Sequence, residues 1–365
     1  MTGAPLDIAG EALAALSAYH TPPDPAPIKL DANESPWPLP EDARRRLAER
    51  LAAIDLHRYP DGGARALTAA LCARLGAAPD ELLLGAGSDE VIGILLRALD
   101  RPRAGAAKPT VLLPSPTFVM YPITSRVEGF DPIEVPLRDD FGLDVDAMCA
   151  AIDERRPNLV FLATPNNPTG NTFDDAALER IVAHARDALV VIDEAYAPFA
   201  GRTLNDWVDR HPNVGVMGTL SKIGLAGLRV GWIRLRPELA HEANKARPPY
   251  NLSTPAQVAA TFALTELSDT IDDWIGRIVA ERATLAAALS ALEGVTVYPS
   301  AANFLLVEVD DAEAIQRGLL EVGVQVRRFA KIPRLARHLR ITVGTPDENR
   351  RLVDALGALS ADARG

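Results

Sequence analysis

The sequence contains few of the residues that build disulfide, metal and membrane proteins. It has two cysteines, Cys72 and Cys149, and no CxxC pair, so neither a disulfide scaffold nor a thiolate metal site is predicted and a reducing cytoplasm is expected. Its six histidines show no HxH or HxxxH spacing, which argues against a metal site. No stretch reaches the roughly 20 apolar residues of a membrane span, so no membrane segment is expected.

The chain also lacks an excess of positive charge. Its formal net charge is -11 at pH 7, whereas a general nucleic-acid surface needs a basic face to neutralise phosphates. The opening MTGAPLDIAGEALAAL has no basic lead and no unbroken apolar core, so we expect no secretory signal. An anionic ligand would have to be bound by a local cluster of donors.

What is present is an ordinary globular composition with room for two domains. The 365 residues are 48% hydrophobic and 24% charged, and this length exceeds a typical single core. Residues 18–40 are rich in proline and lack helical periodicity, which predicts an extended arm. Helical spacing follows over 41–54 and 64–75, with a turn at RYPDGG between them.

Short apolar runs then alternate with helical patterns, which indicates an α/β three-layer sandwich around a mainly parallel mixed sheet. The runs are LLLG (82–85), TVLLP (110–114), IEVPL (133–137), LVFLA (159–163), LVVID (189–193), VGVMGTL (214–220) and VGWIRL (230–235). After residue 249 come two Ala/Leu-rich helices, over about 254–292, and then short strands, typical of a smaller α+β unit. We therefore predict an arm (1–40), a large domain (41–247) and a small domain (248–365).

Unusual polar residues follow three of these runs, at the strand ends where open α/β sheets bind ligands. LVVID ends in Asp193 and is followed by Glu194-Ala195-Tyr196, LVFLA precedes TPNNPTG (164–170), and VGVMGTL precedes Ser221-Lys222. Each has an ordinary alternative: a solvated surface lysine, an aspartate that caps a helix, or a turn built from Asn, Pro and Gly.

One cofactor explains the three together. Pyridoxal phosphate needs a lysine for its Schiff base and an acid that keeps the ring nitrogen protonated, and Lys222 and Asp193 can supply them. Asn167 and Tyr196 can donate to the phenolic oxygen of the ring.

The cofactor's phosphate needs donors of its own. The stretch GAGSDE (85–90) follows a strand and opens a helix, so the backbone amides of Gly87, Ser88 and Asp89 suit a phosphate. Ser221 and Arg229 complete the predicted cup. A simple glycine turn with Ser88 as helix cap explains the same stretch.

These segments resemble the fold-type-I pyridoxal-phosphate aminotransferases, and among them most closely the histidinol-phosphate aminotransferases. The resemblance covers most of the chain and is carried by DANESPWP, RYPDGG, GSDE, SPTFVMY, TPNNPTG, IDEAY, TLSK, GLRVGW, SAANFLLV and LRITVGTPDEN. It implies an aspartate-aminotransferase-like large domain. One departure is the segment SKIGLAGLR, which is one residue shorter than the family pattern and lacks its aromatic.

The resemblance also implies site roles. Lys222 would be the aldimine lysine and Asp193 the partner of the ring nitrogen, Phe118 would stack on the ring, and Tyr59 would reach the phosphate of a partner subunit, which predicts a homodimer with shared active sites. The substrates would be histidinol phosphate and glutamate or 2-oxoglutarate. Their contacts would be Tyr19, Asn33, Glu34, Arg327 and Arg340.

Three alternatives stay open, the first of which comprises two enzymes. A threonine-phosphate decarboxylase or an aromatic aminotransferase of the same fold could use the same two arginines. A non-catalytic regulator that binds the cofactor would need a DNA-binding appendage, for which the motifs leave no room. A Rossmann dinucleotide enzyme would need GxGxxG, and GAGSDE lacks the third glycine.

Overall fold

The computed structural model describes residues 26–103 and 105–362. Twelve α-helices lie in this described part: α1 (Glu41–Ala52), α2 (Arg65–Leu75), α3 (Ser88–Ala98), α4 (Met120–Val127), α5 (Val145–Arg155), α6 (Asp175–His184), α7 (Trp207–Arg210), α8 (Pro237–Asn244), α9 (Thr254–Glu266), α10 (Ser268–Ser290), α11 (Ala312–Glu321) and α12 (Pro346–Asp362). None of them combines the length and hydrophobicity needed to cross a bilayer.

Short polar side chains begin several of these helices. Each accepts a hydrogen bond from a backbone N–H of the first turn: Asp144 before α5, Asp174 before α6, Ser253 before α9 and Asp311 before α11. A helix leaves its first four N–H groups without internal partners, and one such cap stabilises it by about 1 kcal/mol. These helix starts are therefore encoded locally.

The larger sheet has seven strands. They are β2 (Leu82–Gly85), β3 (Thr110–Ser115), β4 (Asp131–Pro136), β5 (Leu159–Ala163), β6 (Leu189–Asp193), β7 (Val214–Thr219) and β8 (Gly231–Arg234), in the order β2-β8-β7-β6-β5-β3-β4. Strands β3 to β7 pair in parallel, and β8 is antiparallel to both of its neighbours. The predicted mainly parallel mixed sheet is confirmed, with strand ends that differ by one or two residues.

The smaller sheet has five strands. These are β1 (Ile28–Leu30), β9 (Val295–Val297), β10 (Phe304–Val309), β11 (Val324–Arg328) and β12 (His338–Thr342), in the order β1-β11-β12-β10-β9. The predicted arm contributes β1, which pairs in parallel with β11. Residues 28–30 thus share a sheet with strands nearly 300 positions later, while the domain boundaries at 40 and 247 stay predictions.

Strand β6 shows why the middle layer is buried on both sides. Val190 and Ile192 belong to the apolar cluster that includes residues of α5, α6 and α7. Leu189 and Val191 belong to the opposite cluster, with residues of α3, α4 and α8. Successive side chains of a strand point to opposite faces, so a continuous apolar run satisfies both helical layers. The three-layer α/β sandwich follows from this pattern.

The parallel strands bring the predicted chemistry to one edge of the large sheet. Asp193, the last residue of β6, pairs with Ala163 at the end of β5 and with Met217 near the end of β7. The segments that follow these strands therefore begin side by side.

Candidate active site

Lys222 lies in an irregular helical turn, Ser221–Leu225, that follows β7, and Ile223 and Gly224 within it have non-helical dihedral angles. Its side chain is half-buried, and Nζ donates to the carbonyl oxygen of Ala32 at 3.4 Å. The same nitrogen lies 5.8 Å from the ring centroid of Tyr196. The lysine thus points toward Tyr196 and the N-terminal segment.

Asp193 is 5% exposed. Its Oδ1 accepts the N–H of Ala195 at 2.9 Å, and its Oδ2 accepts the hydroxyl of Tyr121 at 2.6 Å. Burial raises the pKa of this carboxyl, while the two donors and the positive charge of Lys222 act in the opposite direction. A buried carboxylate with two fixed donors is suited to a cationic partner such as a protonated ring nitrogen.

The predicted phenolate donors lie close to the predicted substrate groups. The hydroxyl oxygen of Tyr196 accepts from Nδ2 of Asn33 at 3.0 Å. Asn167, in the segment after β5, accepts from Nη1 of Arg340 at 2.7 Å. Each of these bonds joins residues more than 160 positions apart in the chain.

The predicted phosphate cup combines the start of α3 with Arg229. Gly87 precedes α3 with φ +84°, and Arg229 itself has φ +51°. Nη1 of Arg229 donates to Ser221 Oγ at 3.4 Å, and Nη2 donates to Asp89 Oδ2 at 3.2 Å. Because Arg229 and Asp89 are both about half exposed, their ion pair is weak and an incoming phosphate can compete for the guanidinium.

Glycines make this convergence possible. A Cβ on Gly231 would lie 2.3 Å from the backbone nitrogen of Ser88, and one on Gly87 would lie 2.5 Å from Nη2 of Arg229. The strand, the loop and the guanidinium therefore approach each other more closely than larger residues would allow.

The segment after Lys222, although shorter than the family pattern, still places Arg229 beside Ser221 and Asp89. Gly224 has φ +97°, and a Cβ there would lie 2.6 Å from the ring of Trp274. Trp274, on α10, is almost fully buried. The turn that contains Lys222 packs against this indole. The chain then folds back, so that Arg229 reaches Ser221.

The two predicted substrate arginines are direct cross-strand neighbours. Arg327 on β11 pairs in register with Arg340 on β12, so both side chains leave the same face of the smaller sheet. Arg340 also donates from Nη2 to the carbonyl oxygen of Asp31, and its guanidinium lies 5.5 Å from the ring centroid of Phe304. These contacts hold the guanidinium plane in one orientation.

The remaining predicted residues have varied surroundings. Asn33 is 1% exposed, whereas Glu34 is partly exposed and pairs with Lys29 at 2.7 Å. Phe118 is half-buried and packs edge-on against Tyr121. Tyr59 is 81% exposed and stacks on Tyr250 with ring centroids 4.7 Å apart. Tyr19 lies outside the described residues, so its role stays a prediction.

These residues fit the predicted cofactor. The buried acid, the half-buried lysine, the hydroxyl and amide donors, and the glycine-lined cup opposite a guanidinium match the ring nitrogen, the carbonyl, the phenolic oxygen and the phosphate of pyridoxal phosphate.

Sequence reasoning missed two supporting groups. Tyr121, three positions after Phe118 in SPTFVMY, donates to Asp193. Glu90, in GSDE, accepts the N–H of Ala86 and the side-chain amide of Asn251, both at 2.6 Å, and so holds the loop before α3. The motifs contain both residues, but no sequence spacing identifies their partners.

Known proteins resemble this chain over nearly its whole length. The family model for aminotransferase class I and II matches residues 25–356. Histidinol-phosphate aminotransferase 1 of Burkholderia lata is 47% identical over 354 residues, with 96% of this chain and 98% of that protein covered. The histidinol-phosphate aminotransferase of Methylibium petroleiphilum is 46% identical, with 94% and 93% covered. The crystal structure of the Sinorhizobium meliloti histidinol-phosphate aminotransferase in complex with pyridoxal 5'-phosphate matches with a TM-score of 0.84 at 27% identity, over 97% of both chains.

Proposed function

This chain belongs to the class I and II aminotransferase family, and we propose that it is a pyridoxal-phosphate enzyme that interconverts L-histidinol phosphate and 2-oxoglutarate with imidazole acetol phosphate and L-glutamate in histidine biosynthesis. The observation that carries the proposal is the convergence of Lys222, Asp193 and Arg340 on one site. Lys222 Nζ donates to the carbonyl oxygen of Ala32, Arg340 Nη2 donates to that of the adjacent Asp31, and the charge of Lys222 acts on Asp193. A cofactor-binding lysine and an anion-binding arginine then face one small substrate.

The bound cofactor supplies a carbonyl that joins covalently to an amine and a ring that draws electrons away from the substrate α-carbon. Lys222 would hold this carbonyl, and its amine would move the proton at the substrate α-carbon. Asp193 holds the ring nitrogen, and Tyr196 and Asn167 orient the phenolic oxygen. Phe118 covers one face of the ring.

The phosphate of the cofactor is assigned to the backbone at Gly87, Ser88 and Asp89, together with Ser221 and Arg229. The proposal is supported by the helix start at Ser88, where free N–H groups and the positive end of the helix dipole favour an anion. In a protein of net charge -11, such a local cluster is needed to hold a dianion.

The substrate anion is assigned to Arg327 and Arg340. Two guanidinium groups on one face suit a phosphate monoester or a carboxylate, which accept paired hydrogen bonds. Both substrates carry an acidic group, so one pair of arginines serves both half-reactions. Asn33, Glu34 and Tyr19 are assigned to the imidazole end and the phosphate of histidinol phosphate.

We further infer a homodimer in which Tyr59 reaches the phosphate of the partner subunit. The support is that this tyrosine is 81% exposed, unusual for an aromatic ring, and is held by Tyr250, itself 48% exposed. If sedimentation showed that the active enzyme is a monomer, the inference that two subunits share each active site would be wrong. We assign the enzyme to the cytoplasm because Cys72 and Cys149 are free thiols.

The function is tested with purified protein and a substrate panel. We expect a yellow protein whose absorbance changes on addition of glutamate, no turnover in Lys222→Ala, and a higher kcat/KM for histidinol phosphate than for phenylalanine or threonine phosphate. Wild-type turnover by Lys222→Ala would reject the assignment of the lysine. A higher kcat/KM for phenylalanine would instead identify an aromatic aminotransferase. Release of carbon dioxide from threonine phosphate would identify a decarboxylase.

A further inference from the structure

Tyr121 is held rigidly at the start of α4. Its side chain is fully buried. The phenol ring stacks on Phe161 of β5, with centroids 4.6 Å apart and planes inclined by 7°, and Phe118 packs edge-on at 5.4 Å. Because the ring is fixed by both neighbours, the direction of its hydroxyl is fixed as well.

That hydroxyl points at the carboxyl group that is expected to hold the cofactor. The distance from Tyr121 Oη to Asp193 Oδ2 is 2.6 Å, typical of the strong hydrogen bond that an O–H donor makes to a carboxylate. Burial and the adjacent Asp193 carboxylate raise the pKa of Tyr121 well above its ordinary value. The phenol therefore keeps its proton and acts as the donor.

Asp193 needs such a donor because burial disfavours its charged form. The carboxylate must be ionised to keep a ring nitrogen protonated beside it. Its Oδ1 already accepts the N–H of Ala195, and the Tyr121 hydroxyl satisfies Oδ2. With one donor on each oxygen, the plane of the carboxylate is set before any ligand arrives.

We propose that Tyr121 is a positioning residue, which holds the Asp193 carboxylate ionised and in the plane required by the ring nitrogen of pyridoxal phosphate. The inference rests on the proposed function. A phenylalanine would fill the same space and stack in the same way on Phe161, so packing alone does not require a hydroxyl. A buried hydroxyl costs free energy unless it is bonded, and Asp193 Oδ2 is its bonding partner.

The test compares Tyr121→Phe with Ser125→Ala. Ser125 lies on the same helix, is also fully buried, and its hydroxyl has no hydrogen-bond partner among the described residues. Each variant loses one buried hydroxyl, but only the first loses a bond to Asp193. The holoenzymes are reconstituted with pyridoxal phosphate labelled with 15N in the ring, and the ring-nitrogen chemical shift, the cofactor dissociation constant and kcat and KM are measured.

For Tyr121→Phe we expect a ring-nitrogen shift toward the unprotonated value, a cofactor dissociation constant raised about tenfold, and a kcat that falls more than KM changes. Ser125→Ala should match the wild type in all three. An unchanged nitrogen shift and dissociation constant in Tyr121→Phe would overturn the inference. This outcome is distinct from failure of the proposed function, in which the wild-type protein itself would not bind the cofactor or transaminate.

Discussion

Asn33 donates from Nδ2 to the hydroxyl oxygen of Tyr196 at 3.0 Å, across 163 positions of the chain. Asn33 is itself fixed, since its N–H donates to Thr342 Oγ1 and its carbonyl oxygen accepts from Asn303. With its oxygen occupied as an acceptor, the Tyr196 hydroxyl is left to donate its proton elsewhere. This arrangement favours donation to the phenolic oxygen of the cofactor.

Asn33→Asp should therefore lower kcat/KM by about 10- to 100-fold, because a carboxylate cannot donate and would attract the Tyr196 proton to itself. Aspartate tolerates the φ of +56° at this position, so backbone strain is not the cause. Steady-state kinetics and the absorption maximum of the bound cofactor measure the effect. Asn244→Asp, at an exposed position, is the control, and equal kinetics in the two variants would contradict the assignment.

Arg340→Lys should raise KM for both glutamate and histidinol phosphate by about 10- to 100-fold. Lysine keeps the charge but cannot bond Asn167 and the Asp31 carbonyl while presenting a planar fork to an anion. Steady-state kinetics with each substrate measures the change. The matched control is Arg337→Lys, whose ion-pair partners are the exposed carboxylate of Asp310 and the partly buried carboxylate of Glu308. An unchanged KM for both substrates would show that Arg340 does not bind the acidic group.

Gly231→Ala should weaken binding of the cofactor at least tenfold. The added Cβ would lie 2.3 Å from the Ser88 nitrogen, so the loop that presents amides to the phosphate must move. Equilibrium dialysis of pyridoxal phosphate, with free phosphate as competitor, gives the dissociation constants. Gly276→Ala, on α10 with nothing within 4 Å of the added carbon, should bind like the wild type. Wild-type affinity in Gly231→Ala would place the phosphate elsewhere.

Glu194 should make the folded state less stable as pH rises from about 4.5 to 7. Burial raises the pKa of this carboxyl to about 7, although Thr203 and the Leu204 N–H donate to it. In that interval the folded state holds a proton that the unfolded state has released, so the free energy of unfolding falls with rising pH. Glu194→Gln removes this titration.

The measurement is urea unfolding of both proteins at pH 5 and pH 8. From pH 5 to pH 8 the free energy of unfolding of the variant should increase by about 2 kcal/mol relative to that of the wild type, since one pKa unit corresponds to about 1.4 kcal/mol. Glu242→Gln, at an exposed position, serves as control. A difference between Glu194→Gln and wild type that is the same at both pH values would contradict the raised pKa.

Much of the fold was predictable because its signals are local. The run LVVID predicts a strand buried on both faces, and the structure confirms β6 with those same five residues. Lys222, Asp193 and Asn167 were identified because each lies at the end of such a run or shortly after it, and parallel strands end at a common edge. The Tyr121–Asp193 bond was not predictable, since the two residues are 72 positions apart and no periodicity relates them.

The sequence alone determined the alternation of strands and helices, the edge where the polar residues gather and the family to which they belong, because apolar periodicity and short motifs act over a few residues. Only the tertiary structure decided which groups touch. The register that sets Arg327 beside Arg340, the hydrogen bond from Asn33 to Tyr196 and the close approach of Gly231 to Ser88 depend on packing between distant segments. The burial that changes the pKa of Asp193 and Glu194 likewise exists only when the layers are assembled.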